Sequence, residues 1–398
     1  MHYSRLTERI AGDGAAAWNI HYRALERQAR GDDVIILSVG DPDFTTPEPI
    51  VESAVASLRG GATHYADVQG KQRLRELIAD THRRQGGAAT TTAANVAVMA
   101  GAQCGLYAVA QCVLEPGDEV LVPEPMYVTY EAALQAAGAR LVRVPLRAGN
   151  AFQPDPAEFA AAVTPRTRAM LLNSPHNPTG QILGREHWAA LAALCREHDL
   201  WLLSDEVYAS LIFDEAHHCP DALPGMAERT AVISSLSKSH AMTGWRLGWV
   251  IGPETLVGHL SNLALCMLYG SPDFIQDAAC EALAHPPAEL AAMRETYRSR
   301  RDTVFAALAD SATLDVLRPE AGMFMMIDIR RTGLSAADFA DRLLEEHGVS
   351  VLSGEAFGPS AAGFVRLSLT VDAERLREAC RRLEHCAASC LATVAAPD

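Results

Sequence analysis

Between Val96 and Ile251 short apolar runs alternate with amphipathic stretches, and nothing else in the chain limits its fold so strongly. Val96-Ala97-Val98-Met99 predicts a strand, and Gln103 to Leu114 a helix. Glu119-Val120-Leu121-Val122 predicts the next strand, followed by a helix from Val128 to Ala137. Leu141-Val142-Arg143-Val144, Ala169-Met170-Leu171-Leu172, Trp201-Leu202-Leu203-Ser204, Val232-Ile233-Ser234 and Leu247-Gly248-Trp249-Val250-Ile251 continue the strand series. This alternation predicts an α/β fold with a mostly parallel sheet covered by helices. Ligands of such open sheets bind beyond the carboxyl ends of the strands. Four segments fall there: Gly101-Ala102-Gln103, Asn173 to Gly180, Asp205 to Tyr208, and Ser235 to Lys238.

The C-terminal third has a different grain. It predicts a long helix from Glu281 through Arg301 to Leu308, a strand over Met323–Ile327 and a helix from Ala336 to His347. Strands over Val349–Leu352 and Phe364–Leu369 and a helix from Ala373 to Cys390 complete a smaller α/β domain. The Pro/Gly-rich stretch Ser38 to Pro47 reads as a structured loop. A length of 398 residues fits two or three domains, or one large domain with an appendage.

The balance of 34 basic and 49 acidic residues, a formal charge of −15, argues against a general nucleic-acid binder, which needs a basic face. Nine cysteines without a C-x-x-C pair show no zinc-like spacing. Cys104, Cys112, Cys195, Cys266 and Cys280 read as small core residues, Cys380, Cys386 and Cys390 as positions on the last helix, and His217-His218 as an exposed loop pair. The start Met1-His2-Tyr3-Ser4-Arg5 lacks the apolar core of a signal peptide, and no run reaches the roughly 20 apolar residues of a membrane span. The expected compartment is a reducing cytoplasm.

Only two of the 34 basic residues are lysines. Arginine stays charged, whereas a lysine amine can shed its proton and form a Schiff base with an aldehyde. Lys71, in Gly70-Lys71-Gln72-Arg73, reads as a solvated helix residue. Lys238 lies among Ser235, Ser237 and Ser239, with Arg246 eight positions on, which suggests an amine beside an anion such as the phosphate of pyridoxal phosphate. Asp205, at a strand end, can pair with a pyridinium nitrogen. At about 3 Å and an effective dielectric near 20 the attraction is roughly 5 kcal/mol, about four pK units. An N-cap aspartate would look the same. Tyr208 and Asn177 can hydrogen-bond the phenolate oxygen of such a ring, or serve as a half-buried aromatic and an Asn-Pro turn. Gly101-Ala102-Gln103 can aim helix-start N–H groups at phosphate. Ser235, Ser237 and Arg246 can complete the cradle. Tyr127 can stack on a planar ring or fill a core.

Asn177-Pro178-Thr179-Gly180, Asp205-x-x-Tyr208, Ser235-x-x-Lys238 and Arg246, in this order at strand ends, resemble the class I/II aminotransferases of pyridoxal-phosphate fold type I. The likeness runs nearly the full length and includes Gly40 in Val39-Gly40-Asp41-Pro42-Asp43-Phe44, Tyr65 in His64-Tyr65, and Arg366 in Val365-Arg366-Leu367-Ser368. It implies a transaminase using pyridoxal 5'-phosphate, with Lys238, Asp205 and Tyr208 as catalytic residues. Lys238, Asp205, Tyr208, Asn177 and Tyr127 would contact the cofactor ring. Ser235, Ser237, Arg246 and the backbone of Gly101, Ala102 and Gln103 would hold its phosphate. Tyr65 would reach the phosphate of a partner subunit, and Arg366, with Gly40 and Asn177 nearby, would bind the substrate α-carboxylate. The resemblance further implies a homodimer with shared active sites and small amino acid and 2-oxo acid substrates, while the charge, hydropathy and cysteine spacing argue for no metal, membrane or nucleic acid. Residues 1–45 would form an N-terminal segment of the small domain, 46–285 the large cofactor-binding domain, and 286–398 the rest of the small domain.

A narrower likeness lies in Gly101-Ala102-Gln103-Cys104, Glu124 to Glu131, Leu263 to Pro272 and Ser239-His240. It points to a subgroup that uses L-arginine as donor and pyruvate as acceptor, in arginine catabolism. A guanidinium entering the site needs a carboxylate. Asp13 and Asp273 are candidates, though each also reads as a loop or cap aspartate. Alternatives are an aspartate, aromatic, alanine or kynurenine donor, a lyase on the same fold, or a non-catalytic regulatory domain.

Overall fold

Seven short strands form the central sheet of the computed structural model, which describes residues 1–11 and 18–394. Their spatial order is Val96–Met99, Gly248–Ile251, Thr230–Ser235, Trp201–Asp205, Thr167–Asn173, Glu119–Glu124 and Arg140–Pro145. All run parallel except Gly248–Ile251, which is antiparallel to both neighbours. Every residue of Val96–Met99, Glu119–Glu124 and Gly248–Ile251 is buried, because helices cover both faces. Ala97, Met99 and Ile233 face one apolar cluster, under the helix Ala102–Val113. Val96, Val98 and Val232 face another, under Gln72–Arg84 and Asp273–Ala284. The edge strand Arg140–Pro145 exposes Arg140, a charge that discourages pairing with another sheet.

A second sheet, all antiparallel, orders Leu352–Ser353, Phe364–Ser368, Phe324–Asp328 and Asp315–Leu317. Helices Ala288–Leu308, Ala336–His347 and Ala373–Val394 pack with it around Phe339, Leu343, Leu376 and Leu383. Near the N-terminus, Ile35–Ile36 pairs in parallel with Val349–Ser350. The chain then crosses between the sheets, where Leu37 O accepts from Ser368 N at 2.9 Å.

Several sequence expectations need correction. The helix expected from Glu281 to Leu308 is two helices, Asp273–Ala284 and Ala288–Leu308. Pro286-Pro287 separates them, since proline lacks the N–H a helix interior needs and disfavours helical geometry in the residue before it. The strand expected over Val349–Leu352 divides between two sheets. Lys71 is not a free surface residue: its Nζ donates to Asp277 at 2.6 Å and pairs with Asp273 at 2.8 Å. Cys266 is exposed rather than in the core. His217 is not an exposed loop residue, since its Nε2 lies 2.7 Å from Glu206 Oε2 with both side chains buried.

Candidate active site

The register of the central sheet brings the chemistry to one edge. Asn173 pairs with Asp205 across one strand boundary, and Asp205 with Ile233 across the next. The ends of these three strands therefore open into one cleft. It is lined by Ala102, Gln103, Tyr127, Asn177, Asp205, Tyr208, Ser235, Ser237, Lys238 and Arg246. A second lobe shares Tyr127, Asn177, Tyr208 and Lys238 and adds Gly40 and Arg366. Of the residues singled out in sequence, Gly101 stands behind Arg246. Tyr65 lies apart, 84% exposed, with its ring 4.9 Å from that of Tyr269.

Lys238 Nζ donates to Gly40 O at 2.7 Å. A side chain at Gly40 would collide with Phe324, whose ring stands 2.1 Å from the place of a Cβ, so the backbone can lie there only as glycine. Burial pushes the Lys238 amine down to about 8, and the nearby Arg366 and Arg246 charges add to this against the opposing charge of Asp41. Such an amine is neutral in about a tenth of molecules at pH 7 and about half at pH 8, far more than an ordinary lysine, and can act as nucleophile or base.

Asp205 is buried, and burial pushes its carboxyl up to about 6. Tyr130 Oη donates to Asp205 Oδ2 at 2.6 Å, and Val207 N donates to Oδ1 at 3.2 Å. Among the described residues no cation pairs with it. A carboxylate held by two donors in an apolar surround is poised for a cationic partner arriving in the cleft.

Arg366 is a buried guanidinium without a carboxylate partner among the described residues. It donates to Asn177 Oδ1 and to Ser38 O, each at 3.0 Å, and lies over the rings of Phe324 and Phe357 at 4.2 and 4.9 Å. Its Nε has no partner among the described residues, and burial pushes the group down to about 10. A buried charge left incompletely paired defines a site for an anion. Because Arg366 can only donate, Asn177 must turn its oxygen toward it, which aims the amide N–H groups at Tyr208 and the cleft.

The other anion site stands at the start of helix Ala102–Val113. Its N-cap, Gly101, has φ +90° and gives no side-chain cap, so the first N–H groups of the helix are unsatisfied within it. Arg246 closes over this end, donating to Thr243 O at 2.7 Å and Ala100 O at 3.4 Å. A Cβ at position 101 would stand 2.5 Å from its Nη2. With the hydroxyls of Ser235 and Ser237 on the same wall, this donor set suits a phosphate group. The cleft thus holds phosphate donors, a reactive amine, a lone carboxylate and a second anion site, the set that pyridoxal phosphate and an amino acid require.

Sequence reasoning gave no task to Tyr130 or Thr243, which also line the cleft, and held Asn173 and Val207 only as members of the strand-end segments Asn173 to Gly180 and Asp205 to Tyr208. It also missed a cluster outside the site: Glu206, His217 and Cys219 bring ligand-type atoms within 4.8 Å of one another. The spacing along the chain gave no sign of this, because a loop returns His217 and Cys219 to the strand end.

Residues 32–383 match the sequence profile of aminotransferase class I and II, and the chain belongs to that family. It is a transaminase, a pyridoxal-phosphate-dependent enzyme of fold type I that exchanges amino groups between amino acids and 2-oxo acids. Among its relatives it is similar to the arginine–pyruvate transaminase of Pseudomonas aeruginosa, 65% identical over 98% of this chain and 99% of that protein. An aspartate aminotransferase of Pyrococcus horikoshii is 36% identical over 90% of this chain and 92% of its own length. The structure of the Thermus thermophilus aspartate aminotransferase with maleate superposes with a TM-score of 0.92 at 34% identity, covering 97% of this chain and 100% of that one.

Proposed function

We propose that this transaminase moves the α-amino group of L-arginine to pyruvate by a ping-pong cycle. The observation that carries the donor assignment is the 65% identity, across almost the whole chain, to a relative named for that reaction. Relatives named for aspartate, prephenate or aromatic substrates stand at 33–37%.

When bound, the cofactor supplies an aldehyde for amino exchange and a ring that accepts the electrons left at Cα. Each residue then has a task. Lys238 holds the cofactor in the resting enzyme, and its amine, when free, takes the Cα proton and carries it on Nζ. Asp205 keeps a negative charge beside the ring nitrogen. Asn177, through its amide N–H groups, and Tyr208, through its hydroxyl, would donate to the phenolate oxygen, and Tyr127 would lie against the ring. Ser235, Ser237, Arg246 and the Gly101–Gln103 backbone hold phosphate. Arg366 would hold the substrate α-carboxylate beside Gly40, in the lobe that Lys238 also lines.

The enzyme is, in this reading, a cytoplasmic homodimer with shared active sites. Tyr65, Tyr269, Leu265 and Met267 are all exposed, which suits a surface covered by a second copy. Nine unpaired cysteines suit a reducing compartment. The division into 1–45, 46–285 and 286–398 is supported by the pairing of Ile35–Ile36 with Val349–Ser350 and by the helix break at Pro286-Pro287.

The test is kcat/KM over basic, apolar, aromatic and acidic L-amino acids with pyruvate fixed. Arginine is expected to lead, with leucine and methionine as weaker donors. A tenfold advantage for aspartate or an aromatic donor would end the arginine reading and leave the family assignment standing. Stoichiometric formation of alanine separates transamination from lyase chemistry.

A further inference from the structure

An arginine donor brings a guanidinium into the cleft, and neither carboxylate suggested by sequence is its acceptor. Asp273 is engaged with Lys71 at 2.8 Å, on the helix Asp273–Ala284. Asp13 lies outside the described residues. The lobe that holds Arg366 contains one acidic side chain among its described lining residues, Asp41.

Asp41 is held at the mouth by its neighbours. The preceding Gly40 packs directly against the ring of Phe324, and the following residue is Pro42. The Asp41 side chain is exposed and has no hydrogen-bond or ion-pair partner among the described residues. Asp43, two positions on, is by contrast held by both Nη atoms of Arg300 at 2.7 Å. Across the same lobe stands Trp18, half-buried, whose indole can stack on a flat cation. Val39, Val128, Leu352 and Phe357 add apolar wall to the same lobe, which suits a methylene chain.

We propose that Asp41 is the acceptor for the donor's guanidinium and that Trp18 covers its face. Arg366 and Asp41 then take opposite ends of one substrate: the former binds the α-carboxylate, the latter the distal cation. This inference rests on arginine being the donor. It makes the preference electrostatic, so a neutral molecule of the same shape is a poor substrate.

L-Citrulline is that molecule, a urea in place of the guanidinium. The experiment compares kcat/KM for arginine and citrulline, with pyruvate, in the holoenzyme and in Asp41→Asn. The arginine-to-citrulline ratio is expected to fall about 10- to 100-fold, the range of a charge-assisted hydrogen bond. A second arm titrates 5-guanidinopentanoate, which has no amino group to transfer, into both proteins by calorimetry, with hexanoate, which lacks the distal cation, as the comparison. The Kd of 5-guanidinopentanoate relative to hexanoate should rise by a similar factor, and Trp18→Leu should weaken the guanidino compound more than hexanoate. If arginine and citrulline fall in step, or if both ratios move less than about threefold, Asp41 is not the acceptor. A wild-type enzyme that prefers aspartate or aromatic donors would instead overturn the donor reading on which the inference rests.

Discussion

Asp205→Asn removes one negative charge from the cleft and barely alters its shape. The carboxylate is buried, unpaired by any cation among the described residues, and pushed up to about 6 by burial. A cation brought against it at about 3 Å, with an effective dielectric near 20, gains roughly 5 kcal/mol. If most of that is needed as electrons leave Cα, kcat should fall by about three powers of ten. The fold should survive. The amide keeps an oxygen for Val207 N, now at 3.2 Å, while the Tyr130 hydroxyl loses its carboxylate acceptor, a cost of about 1–3 kcal/mol. Thermal melting by circular dichroism should therefore shift by only about 1–4 °C, with the transition still cooperative. The control is Tyr130→Phe, which removes the 2.6 Å donor but leaves the charge. Its kcat should fall only about tenfold, because one hydrogen bond to a charged group is lost and not the ion pair. The rate assay is alanine formation from pyruvate at saturating donor. A folded Asp205→Asn enzyme with more than a tenth of wild-type kcat would show the aspartate to be a cap, and the electrostatic argument would fall.

Borohydride reduction of the holoenzyme should fix the cofactor on the peptide containing Lys238, and label on Lys71 would contradict the assignment; Lys238→Ala should bind cofactor yet lose nearly all turnover. With its amine at about 8, Lys238 is increasingly protonated and unreactive below that pH, so cofactor attachment to the apoprotein should speed up about tenfold per pH unit between about 6 and 7 and level off above about 8. A rate flat from about 6 upward would mean the amine is neutral throughout. Arg366→Lys keeps the charge but not the planar fork, and kcat/KM for every amino acid donor should fall about 10- to 100-fold; a change under about threefold would place α-carboxylate binding elsewhere. Sedimentation should show a dimer, and Tyr65→Phe should modestly weaken cofactor affinity; an active monomer at assay concentration would contradict both the shared site and the role of Tyr65.

Much of the large domain was legible because its signal is local. A strand covered on both faces must be apolar at each position, so Val96–Met99 and the middle of Thr167–Asn173 announce themselves as runs. The residues at the ends of those runs then fall on one edge without further information. The direction of Gly248–Ile251 was not legible, since an apolar run reads alike whichever way it is paired. The break at Pro286-Pro287 was written in the sequence, and helical patterning on either side concealed it. The division of Val349–Leu352 between sheets depends on partners outside the run, the remote Ile35 on one side and Arg366 on the other.

By itself the sequence determined the inventory: one lysine among phosphate-binding side chains, an aspartate and a tyrosine after a strand, and an arginine in a late one. The tertiary structure decided what those groups are. Tyr130 reaches Asp205 across 75 residues, Arg366 reaches Asn177 across 189, and Lys238 reaches Gly40 across 198. No local pattern encodes such contacts. Reactivity is likewise a property of place. The amine of Lys238 comes down to about 8 and the carboxyl of Asp205 goes up to about 6 because surrounding chain displaces the water that would otherwise solvate their charges. That displacement comes from segments remote in sequence, and only the folded chain brings them together.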